Sequence, residues 1–93
     1  MAEEKIVISQ LSYNMITRII LAYAKYKGSA SLDDIAEDSD IKRRYGTNAR
    51  RYVTNANTFL IQLGIIEEVK RKSRKQITDG GRNLATAIQL KKT

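Results

Sequence analysis

Apolar residues recur at helical spacing from Ser12 to Lys27. At about 100° per residue, Tyr13, Met15, Ile16, Ile19, Ile20, Ala22, Tyr23 and Tyr26 cover half of the circumference, against Asn14, Thr17, Arg18 and Lys25. Ser12 suits the N-cap of this first helix and Gly28 its stop. The face is wider than the stripe that one small core needs. Two readings stay open: the surplus Ile and Tyr pack on a second subunit, or the helix is buried centrally in its own domain. A second, short helix is predicted from Ser31 through about Asp38, with Asp33 and Asp34 at its electropositive end and Leu32, Ile35 and Ala36 inward. Ser31-Leu32-Asp33-Asp34 has the form of a capping box with Asp where Glu is preferred. Ser39 to Gly46 is polar and turn-like, and Thr47 offers the N-cap of a third helix that runs to about Leu63 and ends at Gly64. Before all of this, residues 1–10 alternate weakly around Ile6 and Ile8, as a tail, a short strand or an arm; the stretch 1–11 is treated as a flexible arm.

The faces of the third helix separate by angle. With Asn48 at zero, Ala49, Tyr52, Val53, Ala56, Phe59, Leu60 and Leu63 fall between about 20° and 140°, which is the expected core face. Opposite, near about 260°, lie Arg51, Thr54 and Thr58, flanked by Arg50, Asn55 and Gln62. Counting Asn48, Asn55 and Asn57, the polar side is Arg, Thr, Asn and Gln without a carboxylate. That is the side-chain chemistry a DNA major groove selects: Arg pairs with guanine, Asn and Gln with adenine, and Thr with a thymine methyl or a phosphate.

After Gly64 the pattern becomes alternating, and a β-hairpin is predicted with strands of about Ile65–Arg71 and Arg74–Ile77. Its tip is basic: Lys70, Arg71, Lys72, Arg74 and Lys75 surround Ser73. Phosphate contacts would relieve their mutual repulsion and release counterions. Thr78 then caps a last helix from Asp79 to about Lys91, with Leu84, Ala87, Ile88 and Leu90 as its stripe. Gly80 and Gly81 in its first turn suggest fraying or a close approach to another backbone.

Charge sharpens this picture. The 93 residues carry a formal net charge of +7 with no Cys, His, Pro or Trp. The charge is segregated: residues 1–41 hold 4 basic and 7 acidic side chains, whereas residues 42–82 hold 11 basic and 3 acidic. A segregated basic region on a small domain is the footprint of a polyanion binder. Without Cys or His, zinc sites, thiol nucleophiles and imidazole acid–base chemistry are excluded, so no enzyme, no metal and no cofactor is expected. The N-terminal stretch matches neither a signal peptide nor a membrane span. A single domain over 1–93, without membrane attachment, cytoplasmic and nucleoid-associated, is therefore expected. No signature of a ligand pocket stands out.

The order helix, short helix, longer basic-faced helix, basic hairpin, helix resembles the winged helix-turn-helix family of small bacterial and archaeal DNA-binding regulators. Phe59-Leu60-Ile61-Gln62-Leu63-Gly64-Ile65-Ile66-Glu67 is similar to that family's passage from recognition helix into wing, and Ile77-Thr78-Asp79-Gly80-Gly81-Arg82 to the segment that follows the wing. The resemblance implies a mainly α fold with a small β-hairpin (α+β), in the order three helices, two strands, helix, with a short strand optional before the second helix. It also implies double-stranded DNA as partner. The third helix enters the major groove through Thr47, Asn48, Arg50, Arg51, Thr54, Asn55 and Thr58, while Arg43 and Arg44 in the turn and Lys70, Arg71, Lys72, Arg74 and Lys75 in the wing meet phosphates. A homodimer is expected, with Ile16, Ile19, Ile20, Tyr23, Leu84 and Ile88 as candidate interface residues on the first and last helices. Two alternatives accompany the regulator reading: a sequence-tolerant, nucleoid-type DNA coat, and a protein-interaction module.

Overall fold

A computed structural model describes residues 15–69 and 74–92. Helix α1 covers 15–24 and is followed by α2 (Leu32–Ala36), α3 (Ser39–Tyr45), a 3-10 turn (Gly46–Asn48) and α4 (Ala49–Gln62). Strands β1 (Ile66–Glu68) and β2 (Lys75–Ile77) and helix α5 (Asp79–Lys92) complete the order. The described chain is mainly helical with one antiparallel hairpin, in the α+β class. The arm over 1–11, the Ser12 cap and the wing residues Lys70, Arg71 and Lys72 lie outside the described residues.

The expected polar turn from Ser39 to Gly46 is instead a helix. Asp38 caps it, its Oδ1 accepting from the N–H groups of Asp40 (3.0 Å) and Ile41 (3.3 Å). Asp40 sits in the first turn and Lys42, Arg43 and Arg44 in the last, which matches the helix dipole. Ile41 is the one fully buried residue of α3, with Tyr45 half-buried against the core at its end, too little for a periodic signal. Gly46, at φ 56° and ψ −131°, ends the helix in a conformation that favours glycine. Thr47 consequently lies inside the 3-10 turn and not at an N-cap. Asn48 precedes α4 with helical backbone and no side-chain cap, and the Ala49 N–H donates to Gly46 O.

The ends of α4 and α5 are joined by one dense set of bonds. Gly64, at φ 75°, terminates α4 as its N–H donates to Ile61 O (3.0 Å) while the Ile65 N–H donates to Leu60 O (2.9 Å), a Schellman arrangement. The Thr78 hydroxyl donates to Gly64 O (2.6 Å) and accepts from the Gly81 N–H (3.0 Å), so one side chain caps α5 and fastens it to that turn. Gly81 is needed there. A Cβ would collide with the Ile65 carbonyl oxygen and lie 2.6 Å from Ile77 Cγ1.

The hairpin pairs Ile66 with Ile77, Glu67 with Gln76 and Glu68 with Lys75. Ala30 adds a single bridge on its outer edge by exchanging both backbone hydrogen bonds with Lys75 (2.7 and 2.9 Å), which is what the optional strand before α2 amounts to. The core gathers Ile19 and Tyr23 of α1, Ile35 of α2, Ile41 of α3, Val53 and Leu60 of α4 and Ile66 of β1. The wide apolar face of the first helix is thus explained by central burial. Ile19, Ile20, Tyr23 and Ile88, offered as dimer-interface residues, are buried in the chain's own core and are corrected to that role. Ile16 is half-buried and Leu84 is 38% exposed.

Candidate functional site

The third predicted helix, α4, lies in the structure with its core side turned by about 45° from the expected angle. Its buried residues are Ala49, Val53, Ala56, Asn57 and Leu60. Phe59 and Leu63, expected inward, are 45% and 56% exposed. The turn is tied to Asn57, expected on the polar side. Its Oδ1 accepts from the Tyr23 hydroxyl of α1 at 2.7 Å, a buried bond that gives the hydroxyl and the amide oxygen each a partner. Burial pushes the Tyr23 phenol up to about 12.

The opposite side of α4 is divided by the hairpin. Thr54, Thr58 and Gln62 form one wall of a groove of about 520 Å³, and Glu68 and Lys75 of the paired strands stand on the other side. Thr54 is the more committed of the two threonines, because its hydroxyl donates to Arg50 O at 2.8 Å. Asn48, Arg51, Asn55 and Thr58 are exposed. They make a continuous edge of α4 that spans about 80° and contains no carboxylate.

The cations fall into two sets. Arg50 pairs with Asp33 at the start of α2, and Arg43 with Asp40 at 3.5 Å. Arg74 donates to Ser29 Oγ (2.9 Å) and Ser29 O (3.1 Å) and lies 3.6 Å from Asp34. It ties the chain just before β2 to the loop before α2. Among the described residues Arg44 is exposed and has no ion pair or hydrogen bond, while Arg51 lies over the Tyr52 ring, its guanidinium carbon 5.6 Å from the centroid. Of the described arginines expected to meet DNA, Arg44 and Arg51 are therefore uncommitted, and Arg43, Arg50 and Arg74 already hold acids. Lys75 is half-buried and engaged.

The acids respond in kind. The Ser31 N–H donating to Asp34 (2.9 Å), with Arg74 adding to it, holds that carboxyl below the usual carboxylate range. The Arg18 guanidinium, bonded to both oxygens of Asp40 at 2.9 and 2.8 Å, does the same there.

No protein-family model, curated protein or solved structure matches this chain.

Sequence reasoning missed three residues that shape the site: Asp33, which takes Arg50; Ser29, which takes Arg74; and Glu68, which brings a carboxylate to the groove. Charge counting registered the acids but not their partners, since contacts 17 or 40 residues apart carry no local signal. Among the described residues no cluster of His, Cys, Asp or Glu is suited to a metal ion, and no helix is long and apolar enough to cross a membrane.

Proposed function

We propose that this chain is a winged helix-turn-helix protein that binds double-stranded DNA sequence-specifically and acts as a small transcriptional regulator on the nucleoid. Helix α4 is the recognition helix and the hairpin is the wing. The observation that carries this reading is the exposed edge of α4: Asn48, Arg51, Asn55 and Thr58 offer donors and acceptors suited to base edges, with no acid among them. Arg44, exposed on the preceding short helix, supplies a free guanidinium for phosphate. Asp33 and Asp34 hold Arg50 and Arg74 in the free protein, so these two arginines reach phosphate only by exchanging partners. A two-fold dimer, with the exposed Leu84 in its interface, would read half-sites about one helical turn apart.

Fluorescence anisotropy with a pool of random-sequence duplexes of about 30 base pairs, long enough for two half-sites, tests the reading at several salt concentrations. Binding with a steep negative salt slope is expected, followed by selection of a preferred site from the same pool. Binding without any preferred site would instead identify a DNA coat, because phosphate contacts alone carry no sequence information.

A second reading, a protein-interaction module, is favoured by Phe59 and Leu63, which leave two large apolar side chains exposed beside the proposed reading edge. Absence of duplex binding at low salt would select it.

A further inference from the structure

The groove between α4 and the hairpin has unused hydrogen-bonding groups on both walls. Asn57 is only 7% exposed, yet it lines the groove. Its Oδ1 is taken by Tyr23, and its amide nitrogen has no partner among the described residues. That nitrogen is not fully enclosed, and Asn57 is part of the groove lining. A donor held in such a poorly solvated position favours an occupant that supplies an acceptor. On the other wall Glu68 is exposed, and its carboxylate has no hydrogen bond or ion pair among the described residues. Leu32 and Ile61, both half-buried, add apolar surface.

These groups define an occupant. It carries a carbonyl oxygen for the amide donor, N–H donors for the carboxylate and a flat apolar body for Leu32 and Ile61. Lys75, the cross-strand neighbour of Glu68 in the same lining, is already engaged, so the open charge in the groove is the Glu68 carboxylate and a phosphate is disfavoured. Among the nucleobases, guanine places a carbonyl next to two donors on neighbouring ring positions, a pair that matches the two oxygens of a carboxylate. Adenine has no carbonyl, and uracil and cytosine have no such pair of donors. We propose that the groove binds a guanine base, with O6 accepting from Asn57 and N1–H and N2–H donating to Glu68. The base comes either from a free nucleoside or from an unstacked guanine of a nucleic-acid strand. The site does not depend on duplex recognition by α4.

The test follows the Asn57 side-chain amide in proton–nitrogen NMR spectra of the full chain, titrated separately with guanosine, inosine and adenosine. Guanosine is expected to shift that resonance together with the backbone amides of Thr58, Ile61 and Glu68. Inosine, which lacks the N2 donor, should bind about 10-fold more weakly, the effect of one hydrogen bond to a charged group. Adenosine should leave the resonance in place. Glu68→Gln should bring the guanosine-to-inosine ratio close to one, with the backbone amide resonances away from the groove unchanged as proof of an intact fold. Equal shifts from all three nucleosides, or no shift of Asn57 with guanosine, would overturn the proposal. A single-stranded pentamer with one guanine among thymines identifies the source: displacement of guanosine assigns the site to a strand, and no displacement assigns it to a free nucleoside.

Discussion

Asp33→Asn is the substitution that most directly probes the electrostatics of the proposed interface. Asp33 and Arg50 form an ion pair between α2 and α4, with side chains 69% and 61% exposed. An exposed pair of this kind contributes about 0.2–1 kcal/mol. Duplex binding through Arg50 must give that up, and the abandoned carboxylate then faces the incoming phosphate. Replacing it with Asn keeps the size of the side chain and leaves the Ser31–Asp34 capping box untouched. Affinity for random duplex should therefore rise by about 1.4- to 5-fold at low salt, the binding equivalent of the lost pair. Because Arg50 would enter the complex unpaired, the negative log–log salt slope should steepen by up to about 0.9. Anisotropy titrations of wild type and variant over several salt concentrations give both quantities. Urea unfolding should show a loss no larger than about 1 kcal/mol. Unchanged or weaker binding by a variant of near wild-type stability would refute the idea that Asp33 withholds Arg50 from DNA.

The other arginines should divide by role. Arg74→Ala loses two hydrogen bonds to Ser29 and is expected to cost about 1–2 kcal/mol in urea unfolding, whereas Arg51→Ala should stay within about 0.5 kcal/mol and relax discrimination among duplexes by about 1–3 kcal/mol. Gly81→Ala should destabilise by about 1–3 kcal/mol because the obstructing atom is backbone, while Gly80→Ala, whose nearest neighbour is Thr78 Oγ1 at 3.8 Å, should be neutral or stabilising; thermal unfolding of the pair checks the contrast. Asp34 and Asp40 have lowered folded pKa values, so the stability they contribute is present above the ordinary Asp value of 3.8 and is lost as pH falls through the folded values. Unfolding midpoints measured downward from pH 5 should fall more steeply for wild type than for an Asp40→Asn variant, and parallel curves would contradict the assignment.

The elements that the sequence disclosed are those whose signals are local. Gly64 as the stop of α4, Thr78 as the cap of α5 and the Ser31–Asp34 capping box each depend on a few neighbouring residues, and each forms as expected. The close approach suggested by Gly80 and Gly81 is also present, and it falls on Gly81. Helix α3 was hidden because its register depends on one buried residue, Ile41, among charged ones. The error in the face of α4 has the same origin in packing. An angular sort by polarity places Asn57 outside and Phe59 inside, but Tyr23 on α1 offers Asn57 a buried partner, while Phe59 and Leu63 remain exposed.

That rotation changes what the positive charge means. Counted along the chain, residues 42–82 carry a strong excess of cations, and a binder of polyanions follows directly. Folded, α2 brings Asp33 and Asp34 against one arginine from α4 and one from just before β2, so two separate basic elements are joined through a single acidic turn. The cations left for a partner are fewer than the formal charge suggests, and among the described arginines of the proposed interface they lie on α3 and the exposed edge of α4 as Arg44 and Arg51. Affinity from net charge and selectivity from position are thereby separated in the proposed interface: screening weakens every exposed pair, whereas the edge of Asn48, Arg51, Asn55 and Thr58 has the side-chain chemistry suited to base edges.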